Sequence, residues 1–370
     1  MLRCSTVLLL AALPSLAVCS MLNDFNLMWE DAEVPFVLSV PINMTAVYQA
    51  INFWSDETCI RFLDGSELTP NYPAIGFSST GNGCFGSIGK ASVRQQISVD
   101  ADCGDFATIT GLIAQALGAY YEHTRADRNQ YISVDATSVH PILYFLYFSK
   151  VIPRHMNDYV VDYDYGSVLH FAGFEQSWNG SRVITTLDSN YQRTIGQIEG
   201  PTFADVKKVN RAYCSTNCGN WPNTCKNGGY LDPRMCIFCK CPPPLRGQFC
   251  EIAKPTVSGC GTGDLTATNN FQTLSVSGDM LCYYLITAPL GKQVNFSLTS
   301  MTIRSTGPIV KRGACLYNYL EINYRKDFTY GGARFCNGTM PTATRSQSNK
   351  LVLTYKGHAG AQFSLQYKAL

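Results

Sequence analysis

Cysteine spacing constrains this chain more than any other feature. Six cysteines, Cys218, Cys225, Cys236, Cys239, Cys241 and Cys250, fall within thirty-three positions, a density that suits a small module stapled by disulfides rather than by a large apolar core. Cys59, Cys84 and Cys103 lie early, and no cysteine follows until Cys214, so an ordinary hydrophobic core must hold the long interval between. Cys260, Cys282, Cys315 and Cys336 are spread over the C-terminal stretch. The 370 residues therefore divide into three folded parts.

Sixteen cysteines exclude an ordinary cytosolic enzyme. The compartment is set by the first twenty residues, where Arg3 precedes an apolar run from Val7 to Val18, too short for the roughly 20 residues that span a bilayer. This reads as a secretory signal peptide over 1–20, with Ala17 and Cys19 before a cleavage point near Ser20. Its removal takes Cys4 and Cys19, and sixteen minus two leaves fourteen, an even number. The densest later apolar run, Ile142 to Phe148, is bounded by Pro141 and Ser149, so no membrane span is expected. A net charge of +2 gives no polybasic face for nucleic acid. Four sequons, at Asn43, Asn179, Asn295 and Asn337, are candidate glycosylation sites of a secreted, extracellular chain.

The stapled segment contains Cys225-Lys-Asn-Gly-Gly229, the Cys239-Lys-Cys241 pair and a glycine-bearing turn at Gly247. It resembles an EGF-like domain over 215–252, which implies bridges Cys218 to Cys236, Cys225 to Cys239 and Cys241 to Cys250. Cys236-Ile-Phe-Cys239 also has zinc-ligand spacing, but thiols in a secreted chain are oxidised. Beyond Gly259, apolar alternations at Gln293 to Leu298, Tyr317 to Ile322 and Lys350 to Tyr355 alternate with Gly, Ser and Thr turns, as in an all-β sandwich. With Cys315-Leu-Tyr-Asn318-Tyr-Leu-Glu-Ile322, the stretch 260–370 resembles a CUB domain, which implies Cys260 to Cys282 and Cys315 to Cys336. Many CUB domains carry Asp where Asn318 stands, and a neutral amide is the weaker calcium ligand.

In the N-terminal part, Val34 to Val40 reads as a strand and Met44 to Ser55 as a helix capped by Asn43 or Thr45. Asn82-Gly83 predicts a hairpin, as does Gly86-Ser-Ile-Gly89-Lys-Ala91 after Cys84. Ala107 to His123 predicts a helix with an apolar face of Ile109, Leu112, Ile113, Ala116, Leu117 and Tyr120, which Gly118 interrupts or opens to a close neighbour. Gly118-Ala-Tyr-Tyr-Glu122-His-Thr-Arg125-Ala-Asp127-Arg128 is similar to the segment that follows the zinc helix of astacin metallopeptidases. Trp54 to Phe62, Cys84 to Gly89, Gln96 to Ser98, Tyr163 to His170 and Asn190 to Gly196 extend the likeness. The resemblance covers 21–214 and implies an α+β, metzincin-like fold with bridges Cys59 to Cys214 and Cys84 to Cys103.

Astacin chemistry requires H-E-x-x-H-x-x-G-x-x-H, two histidines one helical turn apart and a third beyond the glycine. Aligned on Gly118 and Glu122, the ligand positions hold Gly111, Gln115 and Tyr121, and the general base position holds Leu112. Leu169 stands for the methionine of the turn below the metal, and Phe171 for the oxyanion tyrosine. None of the five histidines, His123, His140, His155, His170 and His358, lies three or four from another, and His123 and His170 match scaffold positions. Asp162 and Asp164 lead into the turn and carry no catalytic role. There is no G-x-S-x-G, and no phosphate loop. With about nine residues between the signal peptide and Trp29, no latency segment is expected. The resemblance thus implies a secreted pseudoprotease without cofactor, in which Glu122, Arg125, Asp127 and Arg128 keep the fold. It would bind extracellular proteins or matrix through its CUB and EGF-like domains, or an uncleaved peptide in its cleft. The alternatives are an active zinc metalloendopeptidase, which would hold zinc, and a structural matrix glycoprotein.

Overall fold

The computed structural model describes residues 21–152, 156–157, 159–305, 313–342 and 344–370; the expected signal peptide, 1–20 with Cys4 and Cys19, and His155 lie outside these. Chain order begins with β1 (Met21–Leu22), β2 (Glu33–Leu38), α1 (Met44–Glu57), β3 (Arg61–Asp64), β4 (Ile75–Ser78), β5 (Gln95–Ser98) and α2 (Phe106–Ala116). β6 (Ile132–Val134), α3 (Pro141–Phe148), β7 (Met156–Asn157), β8 (Ile184–Thr186) and α4 (Phe203–Tyr213) complete the α+β part. A parallel sheet of order β3-β2-β4-β5 packs on α1 and α2. Asn43 Oδ1 caps α1 by accepting from the Ala46 N–H at 3.2 Å, which places that sequon at a helix start. Two buried indoles fix α2 in place: Trp29 Nε1 donates to the Ala116 carbonyl (2.8 Å), and Trp54 Nε1 to that of Thr110 (3.0 Å).

Three sequence expectations are corrected. α2 ends at Ala116, not His123, because Gly118 takes φ +103° and sits against Leu22, where a Cβ would meet the Leu22 side chain at 3.1 Å. Tyr120 consequently leaves the helix and lies half-buried. Asn82-Gly83 closes no hairpin, since β4 and β5 flank it in parallel. The loop instead winds around the Asp100 carboxylate, which accepts from Ser79 Oγ (2.6 Å) and from the N–H groups of Thr80, Gly81 and Gly83. Those donors, Ser79 foremost, lower the Asp100 carboxyl to about 2. The stretch from Gly86 to Ala91 is likewise a loop: Gly89 (φ +75°) donates its N–H to the Gln115 carbonyl, and packs so tightly on Leu22 that a Cβ would come within 2.5 Å.

The stapled part contains β9 (Tyr230–Leu231) paired with β10 (Cys239–Lys240), and β11 (Leu245–Arg246) paired with β12 (Ile252–Ala253). Next come β13 (Asp264–Thr266), β14 (Gln272–Ser277), β15 (Leu281–Thr287), β16 (Val294–Thr302), β17 (Tyr319–Asn323), β18 (Ala333–Phe335), β19 (Lys350–Lys356) and β20 (Gln362–Ala369). They form a five-stranded sheet, β13-β15-β19-β17-β18, facing a three-stranded one, β14-β20-β16. Alternate residues of β20, Phe363, Leu365, Tyr367 and Ala369, point into the shared core, as a sandwich strand requires. Among the described residues, seven disulfides join Cys59–Cys214, Cys84–Cys103, Cys218–Cys236, Cys225–Cys239, Cys241–Cys250, Cys260–Cys282 and Cys315–Cys336. Among the described residues no helix is long and apolar enough to cross a membrane.

Of the remaining sequons, Asn179 is exposed in a turn in which its Oδ1 accepts from the Ser181 N–H (2.9 Å). Asn295 is half-buried on β16. Exposed Asn337 holds the Ser305 N–H through its Oδ1 (3.1 Å).

Candidate functional site

The groove between the two halves of the α+β domain has α2 on one side and residues 168–172 on the other. It encloses about 180 Å³. Gly111, Leu112, Gln115 and Tyr121 all line it, together with Leu169 and Phe171, so the six positions singled out from the sequence converge in space. Gly111 faces Leu169: a Cβ placed on Gly111 would contact Leu169 Cδ2 at 3.5 Å. Leu112 and Leu169 are buried in the core beneath α2, and Val168 and Ala172 extend the apolar floor.

Of those six positions, Gln115 and Tyr121 carry the polar side-chain atoms; Thr108, His170, Glu175 and Gln197 add others around the rim. Burial raises the Tyr121 phenol above its ordinary range, while a hydrogen bond with Gln115 pulls it back. Phe171 fills the space beside them, 4.9 Å from the Tyr121 ring and stacked at 4.3 Å on His123, with Tyr147 and Phe148 of α3 behind it. None of Gly111, Leu112, Gln115, Leu169 and Phe171 has a side chain that takes up a proton near neutral pH, and the Tyr121 phenol is held in its protonated form by burial. Zinc would need three nitrogen, sulfur or oxygen donors of the usual kind. The positions supply a hydrogen atom, a neutral amide and a protonated phenol, which do not fit that ion. Among the described residues no three His, Cys, Asp or Glu side chains come together elsewhere as a metal site.

His123 and His170, distant in sequence, lie with ring centroids 5.7 Å apart. Both are saturated. His123 Nε2 donates to the Tyr147 carbonyl (3.0 Å), and its Nδ1 accepts the Phe171 N–H (3.3 Å). His170 Nδ1 donates to the Phe171 carbonyl (2.7 Å), and its Nε2 accepts from Tyr163 OH (2.6 Å). These partners fix opposite neutral tautomers. Burial drives His123 well below the usual histidine range and His170 down to about 4. The pair pins residues 163–171 under the groove and offers no lone pair to a ligand.

Glu122, one residue past Tyr121, anchors the same floor. Its N–H donates to the Leu169 carbonyl (3.1 Å), and its Oε1 accepts the Asp164 N–H (2.9 Å) and Arg125 Nη1 (3.3 Å). Lys208 Nζ of α4 binds the other carboxylate oxygen. Arg125 in turn makes a two-pronged pair with Asp127 at 2.9 and 3.0 Å, and Arg128 donates to the carbonyls of His123 and Phe148. Burial by itself would raise the Glu122 carboxyl, but Lys208 and then Arg125 hold it below its ordinary value. Asp164 accepts from Thr202 Oγ1 (2.6 Å) and the Gly166 N–H (3.0 Å); burial, with Asp205 beside it, raises it to about 7. The Asp162 N–H donates to Tyr330 OH (2.7 Å). Sequence reasoning did not find Lys208, whose lysine pair in an amphipathic helix reads as solvent-facing, nor the wall residues Glu175, Gln197 and Ile198.

Residues 21–214 match the family model "Astacin (Peptidase family M12A)", and residues 261–367 match that of the CUB domain. The chain is similar to "Zinc metalloproteinase nas-34" of Caenorhabditis elegans, at 43% identity over 340 residues, covering 90% of this chain and 54% of that protein. With nas-27 of the same organism the identity is 31% over 355 residues, covering 88% of this chain and 80% of the relative. Of solved structures, it is similar to High choriolytic enzyme 1, a hatching enzyme zinc-protease from Oryzias latipes (25% identity, TM-score 0.44, covering 55% of this chain and 98% of that one). The chain spans about half the length of nas-34 and of nas-29, two of the curated relatives it matches.

Proposed function

Because the chain belongs to the astacin family, peptidase family M12A, and carries a CUB domain behind that domain, we propose that it is a secreted pseudoprotease, an extracellular binding or regulatory protein that holds peptides without cutting them. The observation that carries this reading is the donor set of the groove: Gly111, Gln115 and Tyr121 at the ligand positions, with Leu112 where a general base would stand. Hydrolysis by this family's route needs a water whose proton a base can accept while a metal polarises it. Leu112 can neither accept a proton nor orient a water, and Phe171 lacks the hydroxyl that would steady an oxyanion.

What the groove retains suits binding. Its apolar floor takes an apolar side chain, and Gln115 and Tyr121 offer a hydrogen-bonding pair at one end. Cys84 lines the groove, and its neighbour Phe85 pairs with Ser98 of β5, so a peptide laid along this rim in extended form would add to the sheet. The stapled module, which we assign as EGF-like, and the CUB domain supply further surface for extracellular proteins or matrix. The relatives' name, zinc metalloproteinase, gives the competing reading. Metal analysis of protein secreted and purified without added metal, paired with a peptide-cleavage assay with and without chelator, separates the two. The expected result is zinc far below stoichiometry and no cleavage; about one zinc per chain with chelator-sensitive cleavage would overturn the proposal.

A further inference from the structure

The loop that walls the groove is gripped from two sides. Toward its own domain, Gln197 Nε2 donates to the carbonyls of Gly166 (2.7 Å) and Gly200 (2.8 Å), and Gly196 (φ +77°) lies so close to Ala172 that a Cβ would come within 2.3 Å of the Ala172 Cβ. Toward the sandwich, the next residue but one, Glu199, accepts from Arg334 Nη1 (3.1 Å), Lys356 Nζ (2.9 Å) and the Tyr317 N–H (3.0 Å), and binds Tyr319 OH (3.3 Å). Arg334 is itself seated on the Tyr319 ring, 4.1 Å from its centroid, and paired with Glu321. Among the described residues, every group bonded to the Glu199 carboxylate belongs to the sandwich.

A second contact is independent of the first. Tyr324 OH, on the sandwich, donates to Asp188 Oδ2 (2.6 Å) and accepts from Asn190 Nδ2 (3.2 Å), and its ring continues a line of aromatics, Tyr165 to Tyr191 at 4.5 Å and Tyr191 to Tyr324 at 6.0 Å. Buried residues of the α+β domain, Tyr165, Tyr191 and Ile195, and of the sandwich, Phe296 and Leu320, belong to one continuous apolar core. Contacts between domains free to move are ordinarily more polar than this and do not merge their cores.

We infer that the CUB domain has its own chain as a fixed partner: it docks on the peptidase-like domain and props the groove wall, so that the width of the groove is set from the sandwich. This holds whether the groove binds or cuts, and only the opposite parts of the sandwich are left open to other proteins.

Hydrogen exchange on the full chain tests it, with substitutions placed in the sandwich and the readout in the other domain. Lys356→Glu sets a like charge beside Glu199 on a residue near the surface, and Tyr324→Phe removes one hydroxyl while keeping the ring. Lys356→Glu should speed exchange over 191–200 about tenfold, and Tyr324→Phe about threefold, with α2 and β20 unchanged. Exchange over 191–200 within about twofold of the unmodified chain in both variants would overturn the inference. So would a loosening that reached α2 and β20 equally, because it would show no local prop.

Discussion

Replacing Lys208 by methionine should destabilise the astacin domain far more than an ordinary surface lysine substitution. Lys208, Glu122, Arg125 and Asp127 are all at most 4% exposed at their side chains, and their charges balance at two positive and two negative. Methionine preserves the stem but leaves one uncompensated negative charge, since Arg125 is already shared with Asp127. Breaking a buried pair on one side costs about 3 to 5 kcal/mol. At about 2 to 4 °C per kcal/mol for a domain of this size, the melting temperature should fall by on the order of 10 °C. The double variant Glu122→Gln with Lys208→Met restores neutrality and should recover a large part of the loss, a non-additivity that a thermodynamic cycle on urea unfolding reads directly. A loss below about 1 kcal/mol for Lys208→Met, or a double variant as unstable as the sum of the singles, would refute the account of Glu122 as a buried anion held by two cations.

His170 titrates near 4 in the fold against roughly 6.5 unfolded, so the unfolded chain takes up the proton first. Its contribution is therefore complete above pH 6.5 and lost as pH falls toward 4. Asp164, raised to about 7, acts in the opposite sense over an overlapping range, so the histidine is isolated by comparison with His170→Gln, which should show on the order of 2 kcal/mol less loss between pH 7 and pH 5 in urea unfolding. Gly111→His, Gln115→His and Tyr121→His together should create zinc binding, since a Cβ at Gly111 meets only ordinary contacts; adding Leu112→Glu and Phe171→Tyr should then give measurable endopeptidase activity, whereas Leu112→Glu alone should give none. Absence of zinc in the triple variant by metal analysis would contradict the alignment of these positions. With Asn318 in place of an anionic ligand, calcium chelation should leave melting of the sandwich unchanged, and a drop of more than about 4 to 8 °C would reveal a working site.

The groove positions on α2 are local to one another, whereas Leu169 and Phe171 come from a distant segment. The resemblance to the astacin pattern, aligned on Gly118 and Glu122, picked out Gly111, Leu112, Gln115 and Tyr121; Gly111 and Gln115, four apart on α2, share a helix face, whereas Tyr121 lies beyond the end of α2 and reaches the groove only through the fold. The module order was legible because clustered cysteines must be bridged over short distances. Local signals failed where the partner comes from far along the chain. Asn82-Gly83 has the composition of a hairpin turn, but parallel neighbours and the Asp100 carboxylate decided its path. His123 and His170 show no ligand spacing, yet the fold sets their rings 5.7 Å apart, tilted to one another, and exhausts their hydrogen bonds within it. Lys208 lies 86 residues from Glu122 and Arg334 lies 135 from Glu199. A charge in sequence carries no mark of which distant charge it will meet. Whether it is solvated or buried against a partner is decided only when the packing of two separate segments excludes water from both, and here that packing anchors the groove floor and props its wall.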